Sequence, residues 1–157
     1  MMKRSDFEIM APVGSYDSLT AAIQGGADSV YFGIEGLNMR ARSSNNFTID
    51  DLHEIVRICN EHHIKSYLTV NTVIYDEDIP LLHRIIDAAK EAGLSAIIAS
   101  DVAAMTYARE IGVEVHLSTQ LNISNTEALR FYARFADVVV LARELSLIHI
   151  SEPTRRS

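Results

Sequence analysis

The sequence predicts an α/β protein built on a parallel sheet, with the first six units of an incomplete (β/α)8 barrel ahead of a doubly wound sheet. Three observations predict it. Six short apolar runs recur along the chain, segments of helical spacing separate them, and nearly every run ends in polar side chains. A barrel gathers all such ends around one mouth, whereas an open sheet concentrates its site at one switch point.

The runs are residues 7–10, 29–33, 66–70, 96–99, 113–118 and 137–142, rich in Val, Ile, Tyr and Phe. Several are apolar on consecutive residues, as expected of strands covered on both faces. After the first, Leu19, Ala22 and Ile23 carry a helical stripe. After the second, Leu52, Ile55, Val56, Cys59 and His63 fall at i, i+3, i+4, i+7 and i+11, and after the third Leu82, Ile85, Ile86 and Ala89 repeat the pattern. Thr48-x-x-Asp51 and Ser124-x-x-Glu127 read as capping boxes, and Asp78 with Pro80 just inside reads as a helix start. Gly25-Gly26, Gly93 and Gly112 fall just past helix ends, where a left-handed residue closes the last turn.

Composition narrows the function classes. The chain has 157 residues, 48% of them hydrophobic, enough for one domain with a substantial core. No run approaches the roughly 18 apolar residues of a membrane span, and the start lacks the apolar stretch of a signal peptide. A single cysteine makes no intramolecular disulfide and suits a reducing cytoplasm. A formal charge of −7 gives no general attraction to nucleic acid or anionic lipid, so neither DNA nor a membrane is an expected partner.

Candidate chemistry collects at the run ends. Cys59 lies on an apolar helical stripe and reads as a small core residue rather than a nucleophile. His62 and His63 are adjacent, so their side chains diverge on a helix and cannot share a metal. Asp76-Glu77-Asp78 reads as an acidic helix start. The long polar loop 38–47 carries Arg40 and Arg42, which suit an anionic group. Asn71, Asp101, Arg143 and Glu144 follow the third, fourth and sixth runs. Beyond the fifth, Ser118, Gln120 and Asn122 share the parity of His116 while the chain stays extended. Together these nine residues are the expected substrate site, orienting a planar polar substrate through hydrogen bonds. No Gly-x-Ser-x-Gly elbow or phosphate-cradling glycine loop is present, and no catalytic residue is assigned.

Met10-Ala11-Pro12-Val13-Gly14, Gly26-Ala27-Asp28-Ser29-Val30-Tyr31-Phe32-Gly33 and Leu68-Thr69-Val70-Asn71-Thr72 resemble the opening of the collagenase-like peptidase family, peptidase family U-32. His116-Leu117-Ser118-Thr119-Gln120 and Arg143-Glu144-Leu145-Ser146 extend the resemblance in the same order, so that it covers residues 7–146. It implies a bacterial, cytoplasmic protein with a (β/α)8-like barrel. For the full-length protein it implies either a peptidase or a hydroxylation factor acting on RNA bases or a quinone precursor. In the hydroxylation factors, downstream cysteines hold an iron–sulfur cluster. This chain lacks them, so no cofactor is expected in the chain itself and a cluster belongs to the full-length protein. The expected partners are accordingly a peptide, or an RNA or small planar substrate. A non-enzymatic module whose open sheet edges pair with another chain is a further alternative.

Residues 1–146 therefore read as the N-terminal portion of a U-32 barrel domain. In residues 147–157 the helical period is lost, with Leu147, Ile148 and Ile150 followed by Pro153. That segment resembles translated adapter sequence and is expected to be a non-native tail, and the barrel fragment, without its last two strands, is expected to be inactive alone.

Overall fold

Five parallel strands lie in chain order: β1 (Met10–Pro12), β2 (Ser29–Phe32), β3 (Lys65–Val70), β4 (Ala96–Ala99) and β5 (Val115–Leu117). Helices α1 (Tyr16–Gln24), α2 (Ile49–Glu61), α3 (Ile79–Ala92) and α4 (Val102–Ile111) connect them, and α5 (Thr126–Tyr132) follows β5. The computed structural model describes residues 8–37, 47–121 and 123–139.

Sheet neighbours are chain neighbours, β1-β2-β3-β4-β5, and every pair is parallel. A doubly wound sheet reverses its strand order at a switch point. These strands do not reverse, which sets that alternative aside in favour of the barrel. Crossovers of one hand in unbroken order place all the helices on one face, leaving the other face as the wall of the barrel interior.

The register shows which residues face which way. Phe32, Leu68, Ile97 and Val115 form one row across β2 to β5, and Val70, Ala99 and Leu117 form a row two residues on. All join one hydrophobic cluster with Leu19, Leu52, Ile55, Leu82, Ile85, Ile86 and Met105 from the helices. Leu52, Ile55, Leu82, Ile85 and Ile86 are completely buried. Each such side chain contributes roughly 1.5–3 kcal/mol on leaving water. Residues of the other parity, including Tyr67 and His116, lie outside that cluster and face the interior.

Helix ends follow the expected chemistry. Thr48 Oγ1 accepts from the Asp51 N–H at 3.2 Å and Asp51 Oδ2 accepts from the Thr48 N–H at 2.9 Å, closing the capping box of α2. Gly93 and Gly112 close α3 and α4 at φ of 83° and 86°, in the left-handed region.

Four sequence expectations need correction. Among the described residues the first strand begins at Met10, with Glu8 and Ile9 outside it and Phe7 outside the described residues. Asp28 Oδ2 takes the Ile9 N–H at 2.7 Å, so regular pairing starts one residue later. His63 leaves the α2 stripe: at φ of 56° it turns the chain into β3, and buried Ile64 follows it. Asn125, not Ser124, caps α5, its Oδ1 accepting from the Ala128 N–H at 2.8 Å. Glu127 meets Arg130 at 3.6 Å instead of reaching back to the cap. Finally, the run after His116 does not stay extended. A 3-10 turn, Thr119–Leu121, begins directly after Ser118, whose carbonyl accepts from the Leu121 N–H at 3.2 Å.

The sixth apolar run enters the sheet where the order requires. Val138 makes a parallel bridge with His116, and the Leu117 N–H donates to the Val138 carbonyl at 2.9 Å. Residues from 140 onward, including the expected tail, lie outside the described residues.

Candidate functional site

Two layers of polar groups stand on the interior face. The upper layer is the rim. Val70, Ala99 and Leu117 are register partners. Asn71, Ser100 and Ser118 therefore follow them side by side at the C-terminal edge, where barrel enzymes place their chemistry. Asn71 is half-buried and Ser118 is buried, its N–H donating to the Ala99 carbonyl at 2.8 Å.

Asp101 sits one residue beyond this row, with its carboxylate already engaged. Oδ1 accepts from the Ala103 N–H at 2.8 Å, capping α4, and Oδ2 accepts from the Ile74 N–H at 3.4 Å. It thus ties the loop after β3 to the loop after β4. Gln120 falls in the 3-10 turn, and its side chain lies outside the described residues together with Arg40, Arg42, Asn122, Arg143 and Glu144. Of the nine expected site residues, the structure brings Asn71 and Ser118 to one edge and gives Asp101 a scaffolding position beside them.

The lower layer holds groups that the expected site did not include. Thr69, Ile98 and His116 form a register row, as do Tyr31, Tyr67 and Ala96. Tyr67 is 2% exposed, and its hydroxyl donates to Glu8 Oε1 at 2.9 Å. Its ring meets that of His116 at 5.1 Å between centroids, inclined at 43°. His116 Nε2 lies 2.7 Å from Glu114 Oε2. Burial first, and then the bond to Glu8 and the charge of Glu114, push the Tyr67 phenol well above its ordinary range, so it stays a donor. Barrel interiors are usually filled by branched aliphatic side chains. In these rows Tyr31, Tyr67, Thr69 and His116 outnumber Ala96 and Ile98, which marks the interior as polar and aromatic at this depth. The signal was present in the sequence: Tyr67 and Thr69 alternate with Leu68 and Val70, and Glu114 and His116 with Val115 and Leu117.

The profile described as "Peptidase family U32" matches residues 14–157. The chain belongs to peptidase family U32. The chain is 77% identical over 146 residues to a protein named "Collagenase" from Porphyromonas gingivalis, covering 93% of this chain and 35% of that protein. It is 35% identical over 148 residues to "tRNA hydroxylation protein P1" of Bacillus subtilis, covering 92% of this chain and 35% of that protein. The solved structure of the U32 peptidase Mk0906 superposes with a TM-score of 0.68 at 13% identity, covering 90% of this chain and 61% of that one. That likeness supports the barrel reading of the strand order. The chain spans about a third of the length of these curated relatives.

The residues of this chain do not fit an iron–sulfur cluster. Cluster ligation needs several thiolates, and the chain has one cysteine. Cys59 is completely buried in α2, and burial pushes its thiol up to about 11. Among the described residues no group of three or more His, Cys, Asp or Glu could hold a metal ion, and no helix is long and apolar enough to cross a membrane.

Proposed function

We propose that this chain forms the N-terminal wall of a U32 barrel whose complete protein hydrolyses peptide bonds in unfolded, collagen-like chains. The observation that carries this reading is the 77% identity to the Porphyromonas gingivalis collagenase across nearly the whole chain. The rim row of Asn71, Ser100 and Ser118 supplies amide and hydroxyl groups that suit the backbone of an extended peptide. Arg40, Arg42, Gln120, Asn122, Arg143 and Glu144 complete the mouth in this proposal, with the arginines serving anionic parts of the substrate.

A second reading, hydroxylation of an RNA base, is favoured by the relationship to the Bacillus subtilis protein and by the aromatic pair Tyr67 and His116 on the interior wall. In that case an iron–sulfur cluster would be held by cysteines of the complete protein.

One comparison tests both. The complete protein is purified anaerobically and incubated with denatured collagen, its absorption spectrum is recorded, and RNA bases from a deletion strain are analysed. Cleavage by an iron-free protein supports the peptidase. Intact collagen, iron–sulfur absorption and loss of a hydroxylated base would replace it with the second reading.

A further inference from the structure

We propose that His116 is the proton acceptor of a site inside the barrel, one row below the rim, and that it takes a proton from the water attacking a bound peptide carbonyl. This rests on the peptidase reading. It places the reacting groups deeper than the βα loops, where the sequence had put the substrate contacts.

The geometry assigns the two ring nitrogens different tasks. A carboxylate only accepts hydrogen bonds, so Glu114 Oε2 at 2.7 Å from Nε2 makes that nitrogen the N–H donor. With that hydrogen on Nε2, Nδ1 is left as the acceptor nitrogen, and among the described residues no hydrogen bond to it is seen. A carboxylate on one imidazole nitrogen and an open lone pair on the other is the arrangement of a held general base. Tyr67 supplies the second support. Its ring packs against the imidazole at 5.1 Å, and its own hydroxyl is anchored on Glu8 Oε1 at 2.9 Å. The ring plane is thus braced from β3 and from the segment preceding β1, and is oriented by the strand that carries it. Ser118, buried and of the same parity, is the next residue of that row toward the rim.

In the reaction, the water oxygen bonds to the carbonyl carbon while one water proton passes to Nδ1. The carbon–nitrogen bond then breaks and that proton goes to the departing amine, restoring the neutral ring. No oxidant or reductant is required. The charged or titratable groups that bear on the ring are Glu114 on its own strand, Tyr67 across the interior face and Glu8 behind Tyr67.

The test uses the complete protein with denatured collagen. His116→Gln is expected to lower kcat by about 100-fold or more with KM little changed. Glu114→Gln offers Nε2 either a donor or an acceptor, so it should lower kcat by less than His116→Gln does, with KM little changed, and mix the two His116 tautomers in the nitrogen spectrum. A merely structural role for Glu114 would leave the tautomer unchanged in that variant. Nitrogen chemical shifts of labelled histidine in the wild-type protein, which need no variant, should show the Nε2–H tautomer at His116. The Nδ1–H tautomer, or cleavage that survives His116→Gln, would overturn the assignment while leaving the peptidase reading intact. A wild-type protein that cleaves no peptide, in a strain that owes a hydroxylated RNA base to it, would remove the hydrolytic role together with the reading on which it rests.

Discussion

The Tyr67 hydroxyl donates to Glu8 Oε1 at 2.9 Å, joining the middle of β3 to the residue that leads into β1 across the interior face. The bond explains how a phenol only 2% exposed keeps a partner in a wall otherwise lined on its outer face by aliphatic side chains. Tyr67→Phe is expected to cost about 1 kcal/mol, because exposed Glu8 regains water when the hydroxyl is removed. A raised phenol contributes stability that is complete below its ordinary value near 10 and lost as pH rises through the folded value. Tyr16, pushed up to about 12 by burial and by Asp51, adds to the same window. Alkaline unfolding of the complete protein should therefore steepen above about pH 10, less so in Tyr67→Phe. An identical alkaline limb in that variant would contradict the assignment.

Asp51 works in the opposite direction. The Thr48 backbone N–H, and then the Tyr16 hydroxyl at 2.6 Å, hold its carboxyl below the usual carboxylate range. The stability it supplies is present above about pH 4 and is lost as pH falls through the lower folded value. Thr48→Ala should cost about 1 kcal/mol at neutral pH, and Asp51→Asn should flatten the acid limb of stability. Urea midpoints measured between pH 2 and 7 give the comparison.

Asp101 distinguishes a scaffold residue from a substrate contact. Asp101→Ala removes the cap of α4 and the tie to Ile74, and is expected to destabilise by about 1 kcal/mol or more. Asp101→Asn retains an acceptor for the Ala103 N–H, so its stability and activity should stay close to wild type. If Asp101→Asn melted normally but lost activity, the carboxylate would belong to the substrate site instead.

Cys59 should resist alkylation in the folded protein, since its thiol is completely buried and pushed up to about 11. Iodoacetamide is expected to label it only after denaturation, and Cys59→Ala should leave activity unchanged. Labelling of the native protein at neutral pH would show that α2 opens.

The α/β class, the positions of the strands and the packing faces of α2 and α3 were legible in the sequence by itself. Apolar spacing and caps are local: Leu52, Ile55, Val56 and Cys59 must share a face of any helix that contains them, and Thr48 with Asp51 closes its start wherever it packs. Helix α5 marks the limit of that reasoning, because Ser124 and Asn125 are both competent caps and only the folded turn selects Asn125. The strand order, and with it the barrel rather than a doubly wound sheet, was decided by pairing between distant segments. The interior site was decided in the same way. Glu8, Tyr67, Glu114 and His116 come from three separate parts of the chain, and nothing in their spacing announces that they meet. Sheet register brings them together, because parallel pairing of β3 with β4 and β4 with β5 sets Tyr67 and His116 on one face at neighbouring levels.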